Sequence, residues 1–368
     1  MTESTRLHEL ADAGQSPWLD NLRRGWITGG ELAGWIDRGV RGLTSNPSIF
    51  QKAISSGNDY DEQFGDLIAS GRSVGDAYWD MVTHDIEGAL ALLRPVYDAT
   101  DGLDGFVSVE VAPELARDSA GTEAAARNLH VAIDEPNLYV KIPGTAEGLA
   151  PIRTMIAEGR SINITLIFSL DRYAEVMEAY LAGLEAAEGE LSRISSVASF
   201  FISRVDTEVD RRLDEIGTDA ALALRGKAAV AQAQVAYSRF KATFSGPRWD
   251  ALVARGARVQ RPLWASTSTK NPAYPDTLYV DQLIGPDSVN TMPDDTLLAF
   301  LDHGTVARTI DADPDDAERT LAAVAEVGVD LDDVARVLEE QGVAAFSKSF
   351  DELITALDTK AAELGAGA

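Results

Sequence analysis

The sequence contains no cysteine. Disulfides, thiolate nucleophiles and cysteine-ligated metals are therefore excluded, although this absence does not fix a compartment. Basic residues are scarce: 32 Lys and Arg stand against 59 Asp and Glu, for a formal net charge of −27. So acidic a surface repels phosphate backbones and anionic lipid, which argues against nucleic-acid and membrane partners. It also repels anionic metabolites, so a phosphorylated substrate would need a few cations concentrated at its site. Histidine is rarer still. His8, His84, His130 and His303 are scattered in helical or loop contexts, and no pair has metal-ligand spacing. No apolar run approaches the roughly 18 residues of a membrane span. Met1 to Gly14 lacks the apolar core of a signal peptide. The expectation is a cytoplasmic protein with no metal.

What is present is a globular composition, 45% apolar over 368 residues, enough to bury a large core. Eight short β-rich apolar runs punctuate it: Pro17–Asp20, Gly39–Asn46, Gly105–Val111, Leu138–Thr145, Ile162–Phe168, Ile194–Arg204, Arg261–Ser266 and Leu278–Ile284. Several are apolar on both faces, as strands of a covered parallel sheet are. Helical patterns such as Gly75–Ala99, Tyr173–Ala187 and Asp206–Arg239 separate most of them. Eight β-then-α units predict an α/β protein, a single closed (β/α)8 TIM barrel with extra helices. An open doubly wound sheet is the alternative, but no G-x-G-x-x-G follows any strand. Residues 1–368 read as one domain, with helical insertions at about 47–103 and 205–260 and a helical extension from about 294. In that extension Asp313-Pro314 suits a helix start.

Each of the first seven strand candidates carries polar residues, most of them at its end: Asp20; Thr44-Ser45-Asn46-Pro47; Glu110; Lys141; Asn163 and Thr165; Ser199 and Arg204; and Ser266-Thr267-Ser268-Thr269-Lys270. Barrel active sites lie at the C-terminal ends of strands, so these residues would converge. Lys141 follows Leu138-Tyr139-Val140 and must point into the barrel or into the helix layer. Either setting disfavours an ammonium, and a neutral amine is what Schiff-base chemistry requires. The alternative is a buried stem with its tip in water. Glu110 is then a salt-bridge partner or a general acid. Asn46 before Pro47 fits a helix cap as well as a ligand contact. Asp20 is either a functional carboxylate or the cap of a helix starting at Asn21.

Taken together, these clusters resemble the transaldolase family, in the longer form found in actinobacteria and cyanobacteria. The matching segments are Trp18-Leu19-Asp20, Gly42-Leu43-Thr44-Ser45-Asn46-Pro47-Ser48, Val107-Ser108-Val109-Glu110-Val111, Val140-Lys141-Ile142-Pro143-Gly144-Thr145, Asn163 to Ser169, Ser199 to Asp206, and Leu263 to Ser268. They follow one another in the family's order. The resemblance implies a transferase of the non-oxidative pentose phosphate pathway that uses neither metal nor cofactor. It would move a dihydroxyacetone unit from sedoheptulose 7-phosphate to glyceraldehyde 3-phosphate, giving erythrose 4-phosphate and fructose 6-phosphate. By resemblance Lys141 forms the imine and Glu110 assists through a water that Thr165 helps hold. Asp20 takes the C4 hydroxyl proton. Asn46, Asn163 and Ser199 hydrogen-bond the dihydroxyacetone unit, Phe201 shapes the pocket, and Arg204 and Ser266 hold the phosphate. Relatives of the shorter form carry Ser-x-Arg on strand 7. That arginine is missing here, which leaves Lys270 as the nearest second phosphate cation. Two rival readings are an aldolase that releases free dihydroxyacetone and an inert sugar-phosphate-binding barrel. The sequence leaves monomer or homodimer open.

Overall fold

In the computed structural model, which describes residues 4–366, eight parallel strands close into a barrel in chain order. They are β1 (Gln15–Leu19), β2 (Gly42–Thr44), β3 (Phe106–Glu110), β4 (Leu138–Pro143), β5 (Ile162–Ile167), β6 (Ser196–Phe201), β7 (Arg261–Ala265) and β8 (Ser288–Met292). The seam is closed by β8 against β1, with Trp18 opposite Thr291.

Two strand expectations are corrected. The eighth strand is not Leu278–Ile284. Leu278–Asp281 is a short helix, and the barrel closes with Ser288–Met292 instead. The buried residues of the mistaken run, Tyr279, Val280, Leu283 and Ile284, recur at helical rather than alternating spacing. The sixth strand ends at Phe201, and Arg204 lies in the first turn of the helix Ser203–Ile216.

Side chains alternate across a strand, and that period fills the barrel. Tyr139 faces inward, its ring 4.1 Å from that of Phe106 and 6.0 Å from that of Trp18. Gly42 leaves room for the Trp18 indole, since a Cβ there would lie 2.3 Å from it. Ser16 accepts from the indole N–H at 2.9 Å and donates to Asp104 at 2.7 Å, and Asp104 also pairs with Arg261 at 3.0 Å. This layer plugs the N-terminal end. Two residues past Trp18, Gly42 and Tyr139, the same inward face carries Asp20, Thr44 and Lys141; Thr165 lies two residues past Asn163, which pairs with Lys141.

Three helices, Pro47–Ser55, Asp61–Ala69 and Val74–Ala99, lie between β2 and β3. After β8 come Asp294–His303, Pro314–Glu326 and the long helix Leu331–Ala366. Asp313 caps the second of these, accepting from the Asp316 N–H with Pro314 in the first turn. The long C-terminal helix crosses the C-terminal side of the barrel, touching Pro47–Ser55, Ser203–Ile216 and β5. No helix among the described residues is long and apolar enough to cross a membrane.

Candidate active site

A cavity of about 120 Å³ opens at the C-terminal ends of the strands. Asp20, Asn46, Lys141, Thr165, Ser199, Phe201, Arg204, Ser266 and Lys270 all line it. Glu110 and Asn163 do not, and both stand directly behind lining residues.

Lys141 points into the barrel and is 4% exposed. Its Nζ donates to the Ser45 carbonyl at 3.0 Å and lies 3.0 Å from Glu110 Oε2. Glu110 is equally buried, and burial raises its carboxyl above the ordinary range; Lys141 opposes that rise and Asp20 adds to it. Thr165 Oγ1 is buried with no hydrogen-bond partner among the described residues. Leu166, next in the chain, takes a left-handed φ of 59°, where the β5–β6 register shifts. This bulge interrupts the ladder one residue past Thr165, before pairing resumes at Ile167 opposite Phe200.

Asp20 caps no helix. The nearest helix starts at Arg24 with Arg23 at its cap position, so a helix from Asn21 does not form. Instead the Asp20 carboxylate accepts from Thr44 Oγ1 at 2.7 Å. Burial raises the Asp20 carboxyl, and the Thr44 hydrogen bond followed by the charges of Lys141, Arg204 and Lys270 pulls it back. Asn46 does cap a helix: its side chain accepts from the Ile49 N–H, with Pro47 in the first turn. It therefore serves the backbone while also bordering the cavity.

Ser199 donates to Asn163 Oδ1 at 2.7 Å, and Asn163 Nδ2 donates to Ser108 Oγ at 3.0 Å. The amide thus holds the Ser199 hydroxyl from behind. The Arg204 guanidinium carbon lies 5.1 Å from the centre of the Phe201 ring. Burial lowers its pKa, while Asp20 and Glu110 act in the opposite sense. Ser266 has a left-handed φ of 57° and its Oγ lies 2.9 Å from Ser203 Oγ. Lys270 donates to Ser268 Oγ at 2.5 Å. Its pKa falls through burial first, then through repulsion from Arg204 and Lys52. An excess of cations therefore gathers at one edge of the cavity in a chain of net charge −27, as an anionic substrate would need.

Thr44 and Ser268, from the strand-end clusters expected to converge, border the cavity as well. Three further lining residues, Thr291, Pro293 and Phe346, were not found in the sequence. Thr291 and Pro293 were lost with the misplaced eighth strand. A signal did exist, because Thr291-Met292-Pro293 repeats the polar-then-proline ending of Thr44-Ser45-Asn46-Pro47. Phe346 sits on the C-terminal helix, and nothing in its local pattern distinguishes it from an ordinary core aromatic.

The layout is that of a (β/α)8-barrel enzyme, with its polar cluster at the C-terminal ends of the strands. Comparison with known proteins narrows it further. The family described as Transaldolase/Fructose-6-phosphate aldolase matches residues 17–357. A transaldolase of Thermobifida fusca is 53% identical over 365 residues, covering 98% of both chains. A transaldolase of Frankia alni is 51% identical over 367 residues, again 98% of each, and one of Mycolicibacterium smegmatis is 50% identical over 361 residues, 97% of each. The chain belongs to the transaldolase family.

Proposed function

We propose that the chain is a cytoplasmic transaldolase of the non-oxidative pentose phosphate pathway. It transfers dihydroxyacetone from sedoheptulose 7-phosphate to glyceraldehyde 3-phosphate through an imine on Lys141. The observation that carries this reading is the buried Lys141–Glu110 pair, 3.0 Å apart, beside a cavity that also holds Asp20 and Arg204.

Lys141 must attack the ketone as a neutral amine. Glu110, whose carboxyl burial pushes upward, is suited to hold the proton that Lys141 sheds. It can return that proton when the carbinolamine loses water, with Thr165 helping to position the water. The iminium then withdraws electrons from the C3–C4 bond. Asp20 takes the proton from the C4 hydroxyl, and its raised carboxyl makes it a better base near neutral pH. Cleavage leaves an enamine on Lys141 and releases erythrose 4-phosphate. Glyceraldehyde 3-phosphate then binds, Asp20 gives the proton back, and fructose 6-phosphate leaves after imine hydrolysis. Ser199, oriented by Asn163, and Asn46 address the hydroxyls of the three-carbon unit. Phe201 shapes the wall. Arg204, Ser266 and Lys270 face the phosphate.

The test is acceptor dependence. Sedoheptulose 7-phosphate and glyceraldehyde 3-phosphate together should give erythrose 4-phosphate and fructose 6-phosphate in equal amounts. Donor alone should give little turnover. Equal turnover without acceptor, with free dihydroxyacetone accumulating, would identify an aldolase instead.

A further inference from the structure

Phe346 stands apart from the rest of the cavity lining. The floor and walls come from the strands and from the loops and first helical turn that follow them. Phe346 comes from the C-terminal helix Leu331–Ala366, is 5% exposed, and borders the same space as Lys141 and Asp20. That helix is fastened on both sides of it. Glu339 pairs with Arg117 at 2.7 Å, and Ser349 Oγ lies 2.7 Å from Ser48 Oγ. Phe350 meets the Tyr78 ring edge-on at 5.4 Å. One turn before Phe346, a Cβ at Gly342 would lie 3.0 Å from Leu166 and 3.5 Å from Phe168. The helix therefore packs closely against the end of β5 at Gly342, one turn from where the Phe346 ring borders the cavity.

We propose that Phe346 is the apolar roof of the substrate cavity and sets how rarely the enamine on Lys141 is lost to solvent. The proposal rests on the transaldolase reading above. After donor cleavage, C3 of the three-carbon unit is the nucleophilic end of the enamine. In transfer, C3 bonds to the acceptor's aldehyde carbon, the aldehyde oxygen takes a proton from Asp20, and one water cleaves the product imine. In the losing route, C3 takes a proton from solvent and Asp20 releases to solvent the one it took from the C4 hydroxyl. One water then cleaves the C=N bond, returning the Lys141 amine and releasing dihydroxyacetone. Both routes consume one water, but only the second needs a solvent proton delivered to C3. An aromatic roof over a polar floor obstructs that delivery while the aldose phosphates exchange.

The experiment supplies fructose 6-phosphate as donor and erythrose 4-phosphate as acceptor. It reads the ratio of free dihydroxyacetone to sedoheptulose 7-phosphate in the parent, Phe346→Ala, Phe346→Leu and Leu353→Ala. Leu353 is buried on the same helix but does not border the cavity, so its truncation loosens docking alone. Phe346→Ala should raise the ratio by about tenfold, the scale of one pocket contact. Phe346→Leu should raise it less, and Leu353→Ala should leave it near the parent's. If Phe346→Ala does not fold, Phe346→Leu decides. A parental ratio in the folded Phe346 variants overturns the roof, and so does an equal rise in Leu353→Ala. Borohydride trapping on Lys141 of the parent separates the two levels: no adduct overturns the transaldolase reading itself, whereas an adduct with unchanged ratios overturns only the roof.

Discussion

Thr44 Oγ1 donates to the Asp20 carboxylate at 2.7 Å across the β1–β2 seam, and the same hydroxyl lies 2.6 Å from Thr291 Oγ1 on β8. A chain of hydroxyls thus ends on a carboxylate that faces the cavity and serves no helix. Asp20 is held directly by Thr44 on β2, which is itself in contact with Thr291 on β8; this setting favours a chemical role over a capping one.

Asp20→Asn should therefore fold normally, since the amide oxygen can still accept from Thr44. It should still form the Lys141 imine but fail to cleave it, because an amide cannot take the C4 hydroxyl proton. Loss of a general base typically costs about 10²–10⁴ in rate. Paired measurements of turnover and borohydride trapping check this: turnover should fall while the Lys141 adduct persists. Near-parental turnover would remove Asp20 from the chemistry.

Arg204→Ala should chiefly weaken binding of phosphorylated ketoses. A charge-assisted contact to an anion is worth about 1.5–3 kcal/mol, or about 10- to 150-fold. Unphosphorylated ketoses should be affected far less. Lys270→Ala should act in the same direction, since Lys270 sits close enough to Arg204 to feel its charge. An equal loss on both substrate types, measured as KM, would argue against a phosphate role for either residue.

Much of this site was legible in sequence because barrel strands carry polar residues at readable places. Lys141 within Val140-Lys141-Ile142 and Glu110 between Val109 and Val111 stand out against apolar neighbours. Arg204 was legible as a residue but not in its setting: apolar Phe200-Phe201-Ile202 continues past the strand's true end, so the helix start was hidden. Leu278–Ile284 misled for the opposite reason. Its composition is β-rich, but its buried positions follow a helical period, and only packing reveals which of the two wins. Phe346 was illegible because its role depends on where a distant helix docks. No local pattern carries that information.

Asp206 offers a stability test away from the cavity. Burial raises its carboxyl from 3.8 to about 6, against the hydrogen bonds it accepts from the Ala229 N–H and the Tyr279 hydroxyl. A raised carboxyl contributes stability that is fully present below the unfolded-state value and is lost as pH rises through the folded one. Between pH 4 and 6 the parent should therefore lose stability relative to Asp206→Asn, by on the order of 3 kcal/mol for a shift of this size. The difference should level off above that window. Urea unfolding of both proteins across pH 4–7 measures it, and a difference that does not vary with pH would show that Asp206 is not held protonated by burial.

The central claim is that Lys141 carries the reaction, and the most direct measurement is reductive trapping. The protein is incubated with fructose 6-phosphate and borohydride, digested, and its peptides weighed by mass spectrometry. The expected result is one stable three-carbon or ketose adduct, on the peptide containing Val140-Lys141-Ile142 and on no other lysine peptide, with loss of activity in proportion. An adduct on Lys270 instead, or full activity with no adduct on Lys141, would contradict it.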